Sequence, residues 1–352
     1  MMLTGGTTYM LDDLNVIKQR DPQDYLGFAG NQPKQLAHNF GIVTEHFGRP
    51  IKNILFSGMG GSALVAELAI TWPELTVPFV TRKDYNLPAF VNEDTLVISS
   101  SYSGNTEETL SALAEARQKG AQIAVIAHGG KLLDNAHEHK YIVAELPECP
   151  QPRASVFYAY RALVEILEAA KLIPQSSVTT LEVLVGPLES AVKNWVASMP
   201  QADNYAKQLA QKMIGKTPIV YGGPKMYPAA YKWKIGFNES AKNTAWSTPL
   251  PEFNHNEFIG WSGHPTEKPF AVVDLLSSFE HPRVQKRFEV SDRLLSGMRP
   301  ASINVEAKGG SALEHMLYLV LLGDFVTTYT GILNGVNPSP VALVEKFKKE
   351  LG

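Results

Sequence analysis

Short apolar runs recur along this chain, each followed by a stretch of helical periodicity. Residues 51–56 (IKNILF), 77–81 (VPFVT), 95–99 (TLVIS), 122–127 (QIAVIA) and 141–144 (YIVA) read as strands. Helical patterns over residues 62–70 and 106–118 lie between them. Ser57-Gly58 stops the first strand and His128-Gly129-Gly130 the fourth. Strands alternating with helices of this length predict a parallel sheet covered on both faces, an α/β fold. The residues before 50 read as helical with mixed polarity. Residues 156–170 form an amphipathic helix, and residues 181–214 give more helix around Pro187 and Pro200. Then the rhythm restarts. Residues 218–221 (PIVY) run into Gly222-Gly223-Pro224, much as the first strand runs into Gly58-Met59-Gly60-Gly61. Residues 270–276 and 303–305 are further strands, a long helix follows from Ser311 to near Leu333, and a last short helix begins near Pro340. The pattern predicts an N-terminal helical segment (1–40), a first α/β domain (41–175) and a second (176–352) that ends in helices.

Composition narrows the class. A chain of 352 residues is long enough for two domains, and 44% hydrophobic with 19% charged residues suits a globular protein with a full-sized core. The net charge of −3 supplies no basic field for nucleic acid or anionic membrane, and neither is expected as a partner. The apolar stretch 316–322 is too short to span a bilayer, and no secretory signal is visible. The single cysteine, Cys149, cannot form an internal disulfide, which suits a cytoplasmic location. It lies between Glu148 and Pro150, without the cationic neighbours that a nucleophilic thiolate wants. No metal site is expected. His137 and His139 would point to different faces of a helix, and H-E-x-x-H is absent.

Two loops carry the chemistry. Gly58-Met59-Gly60-Gly61-Ser62-Ala63 follows a strand and opens a helix. By spelling it fits the dinucleotide fingerprint G-x-G-x-x-A, with Asp84 as a loose candidate for the ribose acid. The stretch SSYSGNTEET, residues 100–109, argues otherwise, because a second strand here ends in a second anion-friendly loop at a helix start. Helix starts present unpaired N–H groups and a partial positive charge, and hydroxyls rotate freely to meet phosphate oxygens. Gly61 and Ser62 from one loop, with Ser101, Ser103 and Thr106 from the other, can converge on one small phosphate. The plainer alternative is that Ser103 or Thr106 simply caps the helix.

These residues also carry a resemblance. GMGGSALVAEL followed by SSYSGNTEET resembles the sugar-isomerase (SIS) domain. GFNESAKNTAW, PEFNHNEF and NPSPVALVEKFKKEL resemble the bifunctional phosphoglucose/phosphomannose isomerase family. The likeness runs from near residue 40 to the end. It implies two SIS domains, each a three-layer αβα sandwich, and an aldose–ketose isomerase that interconverts glucose 6-phosphate, and mannose 6-phosphate, with fructose 6-phosphate without a cofactor. It also implies a homodimer with the active site at the subunit interface.

Such an isomerase opens a sugar ring and then moves a proton between C2 and C1 while an enediolate develops. The family resemblance assigns the base to Glu239, within the matching NE motif, and ring opening to His255, reaching in from the partner subunit. It assigns neutralisation of the enediolate to Arg153, whose guanidinium stays charged at any working pH. Lys346 matches the family's C-terminal lysine near the ring oxygen, although Lys348 and Lys349 crowd the same segment. Ser339 stands where relatives carry threonine, so a hydroxyl is kept and a methyl lost beside C2.

Overall fold

The structure is a computed structural model that describes residues 10–263 and 269–351. The expected N-terminal helical segment therefore has residues 1–9 outside the described residues. The chain divides into two compact units. One is Gln32–Gly186; the other joins the N-terminal segment up to Asn31 with the chain from Pro187 onward.

In the first unit, β1 (Asn53–Ser57), β2 (Phe79–Arg82), β3 (Thr95–Ser101), β4 (Gln122–Ala127) and β5 (Ile142–Glu145) form one sheet in the order β2-β1-β3-β4-β5. Every pairing is parallel, with Ser57 in register with Arg82 on one side and Ser99 on the other. β3 is buried along its whole length, which explains its apolar run. On one face Leu55, Val97, Val125 and Ala127 pack against helices Glu107–Gln118 and Gly130–Glu138. The other layer holds helices Gly60–Thr71 and Val156–Ala169, packed on each other. Helix Gly60–Thr71 has no polar stripe because Ala63, Leu64, Val65, Ala66, Leu68 and Ala69 are all fully buried. The result is an αβα sandwich.

The second unit repeats the plan with β6 (Thr217–Gly222), β7 (Trp246–Pro249), β8 (Phe270–Leu276) and β9 (Ile303–Glu306) in the order β7-β6-β8-β9, again all parallel. Helix Ala312–Leu333 is long and apolar enough to cross a membrane, yet 94% of its most apolar window is buried, so it is a core helix. It packs on helix Tyr227–Glu239 through small residues. A Cβ on Gly236 would lie 2.5 Å from Thr327 Oγ1, and one on Gly323 would overlap the indole of Trp233. Trp233 Nε1 donates to the Leu319 carbonyl at 2.7 Å, and the buried Lys232 and Asp324 pair at 2.7 Å. The N-terminal helix Leu14–Arg20 is tied to this unit by Arg20, which donates to the Ile332 carbonyl at 2.6 Å.

Candidate active site

In the first sheet the chain winds outward from β1 to β2 on one side and from β3 to β4 and β5 on the other. The loops after β1 and β3 diverge, and a crevice opens at the carboxyl ends of those strands, where parallel sheets bind ligands. Glycines let three segments close on it. A Cβ on Gly58 would sit 3.0 Å from the Ser100 carbonyl, and one on Gly61 would sit 3.5 Å from Arg153 Cα. The first loop is thus wedged between the end of β3 and the turn Pro152–Ala154 that carries the buried Arg153.

Ser101 closes β3 rather than following it, and is 2% exposed. Its Oγ accepts the Gly104 N–H at 3.1 Å and lies 2.8 Å from Thr106 Oγ1. Thr106 occupies the N-cap position of helix Glu107–Gln118, but its side chain makes no capping bond. The N-cap position of helix Gly60–Thr71, Met59, supplies none either. The plain capping alternative therefore does not account for the hydroxyl cluster: Thr106 is turned to Ser101, and Ser103 is exposed on the loop, where it accepts the Asn105 N–H at 3.4 Å. Ser62 is half-buried in the first turn of its helix. Ser57, Ser99 and Ser100, which sequence reasoning did not single out, add hydroxyls at the same strand ends, and all three are buried.

The second unit holds the remaining candidates. Glu239 is the last residue of helix Tyr227–Glu239 and is half-buried. Lys242 Nζ donates to the Glu239 carbonyl at 2.6 Å and to the Pro338 carbonyl at 3.2 Å, tying that helix end to the segment that carries Ser339 and leads into helix Ala342–Leu351. Ser339 is buried, and its N–H donates to Asn337 Oδ1 at 3.0 Å. His255 ends the turn Glu252–His255 and is exposed. Lys346 is exposed on a helix with no buried side chain, beside an apolar stripe in which Leu343 is 81% and Phe347 62% exposed.

Comparison with known proteins identifies the family. The SIS domain family matches residues 49–169, and the bacterial phospho-glucose isomerase C-terminal SIS domain matches residues 202–351. The bifunctional phosphoglucose/phosphomannose isomerase of Aquifex aeolicus is 34% identical over 305 residues, covering 86% of this chain and 91% of that protein. The protein of the same name from Caldicellulosiruptor bescii is 34% identical over 334 residues, covering 91% and 97%. The chain belongs to the bifunctional phosphoglucose/phosphomannose isomerase family. Its fold is that of sugar-isomerase proteins: a glucose-6-phosphate isomerase like protein from Thermus thermophilus superposes with a TM-score of 0.64 at 17% identity, over 96% of this chain and 98% of that one.

Within this family the G-x-G-x-x-A spelling is that of a sugar-isomerase loop. Asp84, the acid a dinucleotide site would need, is paired with Arg82 at 3.1 Å. Burial pushes the Cys149 thiol up to about 11, away from the thiolate that a nucleophile needs. The two sheets of this isomerase also differ at their crevices. Gly222 ends β6 and Gly223 follows it, much as glycines follow β1, but here the chain fills the site itself. The Glu280 carboxylate accepts the N–H groups of Lys225 and Met226 at 2.9 and 3.0 Å, and a Cβ on Gly223 would meet its Cδ at 2.5 Å. Burial holds Glu280 above the usual carboxylate range, with the two N–H bonds pulling the other way.

Proposed function

We infer that this protein interconverts glucose 6-phosphate and mannose 6-phosphate with fructose 6-phosphate through a cis-enediolate. The observation that carries the reading is the convergence of the Gly58–Ala63 loop, the Ser101–Thr106 loop and Arg153 on one crevice, in a chain of this family. Gly61, Ser62, Ser101, Ser103 and Thr106 hold the phosphate through hydroxyls and helix-start N–H groups. Glu239 takes the proton from C2 and returns it to C1. C2 is oxidised as C1 is reduced, so the reaction balances within the sugar and calls for no cofactor. Arg153 offsets the enediolate charge. His255 of the partner subunit and Lys346 serve ring opening, which makes the working unit a homodimer with its site at the interface. Glucose and mannose phosphates differ only at C2, which is planar in the enediolate, so both collapse to one intermediate. A cytoplasmic location fits the lone, buried thiol of Cys149.

The test is a coupled assay of fructose 6-phosphate formation from each hexose phosphate with chelator present, applied to the wild type and to Glu239→Gln. The wild type is expected to turn over both sugars. The variant is expected to lose at least about a thousandfold in kcat while keeping substrate affinity, because the amide cannot take the proton. Wild-type turnover by Glu239→Gln would overturn the assignment of the base.

A further inference from the structure

His255 is exposed in a segment whose Phe253, Asn254 and Glu257 side chains are committed to the fold. Phe253 is 1% exposed, and its ring lies 4.6 Å from that of Tyr221 on β6 and 5.8 Å from that of Phe258. Asn254 is gripped from both sides of its amide. It donates to Ser291 Oγ at 2.8 Å and accepts from Arg287 Nη1 at 3.2 Å, both partners lying on helix Pro282–Leu294. Asn256 donates to Glu252 Oε1 at 2.7 Å, which closes the turn on itself. Two residues past the histidine, the Glu257 carboxylate accepts the hydroxyl of Tyr221 on one oxygen and that of Thr248, on β7, on the other at 2.8 Å. Below this pair the buried Arg299 lies 5.7 Å from the Tyr221 ring and 5.8 Å from the Phe253 ring. It is anchored by Ser302 Oγ at 2.8 Å, with the carboxylates of Asp274 and Asp292 each at 3.9 Å.

We propose that Glu257, clamped by Tyr221 and Thr248, is a positioning residue that fixes the backbone on which the His255 imidazole is presented for ring opening. The proposal rests on the reading of His255 given above. Ring opening delivers a proton to the ring oxygen as the C1–O bond breaks, and removes one from the C1 hydroxyl. An imidazole can do this only from hydrogen-bonding distance. A surface turn left to itself samples many positions, and a displacement of about 1 Å at a reacting group can cost on the order of a hundredfold in rate. Hydroxyls from two neighbouring strands, meeting one carboxylate, tie the turn to the rigid sheet in a way that one bond would not. A charged acceptor makes these the strong bonds of the segment.

The experiment is a double-mutant cycle on the full-length protein. Tyr221→Phe keeps the buried ring and removes the hydroxyl; His255→Ala removes the imidazole; the two are also combined, and Thr248→Val serves as a second clamp variant. Tyr221→Phe is expected to lower kcat for fructose 6-phosphate about tenfold, with KM within roughly twofold and little change in melting temperature. In the His255→Ala background it is expected to lower kcat no further, because it acts through the lost imidazole. Thr248→Val is expected to behave in the same way if Tyr221→Phe does not fold. Wild-type kcat in both clamp variants beside a crippled His255→Ala would overturn the proposal alone, as would equal losses in both backgrounds. Full activity of His255→Ala would overturn the ring-opening role of His255, and the proposal with it.

Discussion

Gly104 is pressed against Gly129 so closely that a Cβ on Gly104 would overlap the Gly129 carbonyl. Its φ of +68° is one that other residues rarely adopt. The loop is pinned there from both sides, because Leu132 N–H donates to the Gly104 carbonyl at 2.9 Å and Gly104 N–H donates to Ser101 Oγ at 3.1 Å. Gly104→Ala cannot keep this backbone. It is expected to destabilise the protein by about 2 kcal/mol or more and to pull Ser101 and Ser103 away from the phosphate. Thermal melting and the KM for fructose 6-phosphate check it, with KM expected to rise roughly tenfold or more where the folded form is populated.

The pair of Lys232 and Asp324 makes a different demand. Their side chains are 1% and 3% exposed, and they join helix Tyr227–Glu239, which ends at Glu239, to the core helix Ala312–Leu333. Removing one member leaves the other charge buried without this ion pair. Asp324→Leu is therefore expected to cost about 3–5 kcal/mol in chemical denaturation. Replacing both residues by apolar ones of similar volume is expected to recover most of that loss.

How much of this was legible in the sequence follows from what each element buries. β1 and β3 are dry on both faces and read as unbroken apolar runs ending at glycine or serine. Ser100 and Ser101 looked like loop because hydroxyls usually mark turns, yet serine is small enough to extend a buried strand to the crevice floor. β7 left no signal. It is a four-residue edge strand with Trp246 53% exposed and a proline at its end, so neither alternation nor an apolar run marks it. Helix Pro282–Leu294 was hidden by its charges, although Pro282 at its start and His281, whose Nδ1 accepts the Arg283 N–H at 3.1 Å, mark its beginning. Glu280 could not be connected to Gly223 from spacing, because only the pairing of β6 with β8 brings their ends together.

Asp274 gives the protein a pH signature. Burial raises its carboxyl to about 6, against the opposing pull of Arg299. A carboxyl raised in the folded state keeps a proton that the unfolded chain gives up near pH 4. Its contribution therefore favours folding below that point and is lost as pH rises through 6, leaving a plateau above it. The expected loss across this window is roughly 3 kcal/mol. Denaturation curves taken at intervals between pH 4 and 7 are expected to show this slope in the wild type and to flatten in Asp274→Asn, which has no proton to lose.

Glu280 explains why two similar sheets need not bind two phosphates. The N–H groups of Lys225 and Met226, just before helix Tyr227–Glu239, are already bonded to its carboxylate, and Gly223 leaves the space that the carboxylate enters. Glu280→Ala would take this charged acceptor from the N–H groups of Lys225 and Met226, at an expected cost of about 1–3 kcal/mol. Glu280→Gln retains an amide oxygen to accept from both and is expected to lose less. The crevice of the first unit lies outside this network, so neither change is expected to raise the KM for fructose 6-phosphate beyond roughly twofold at a temperature where the variants are folded. Melting temperatures and steady-state kinetics on the same preparations separate the two effects. A Glu280→Ala variant with wild-type stability and a tenfold higher KM would mean that this carboxylate serves the substrate rather than the fold.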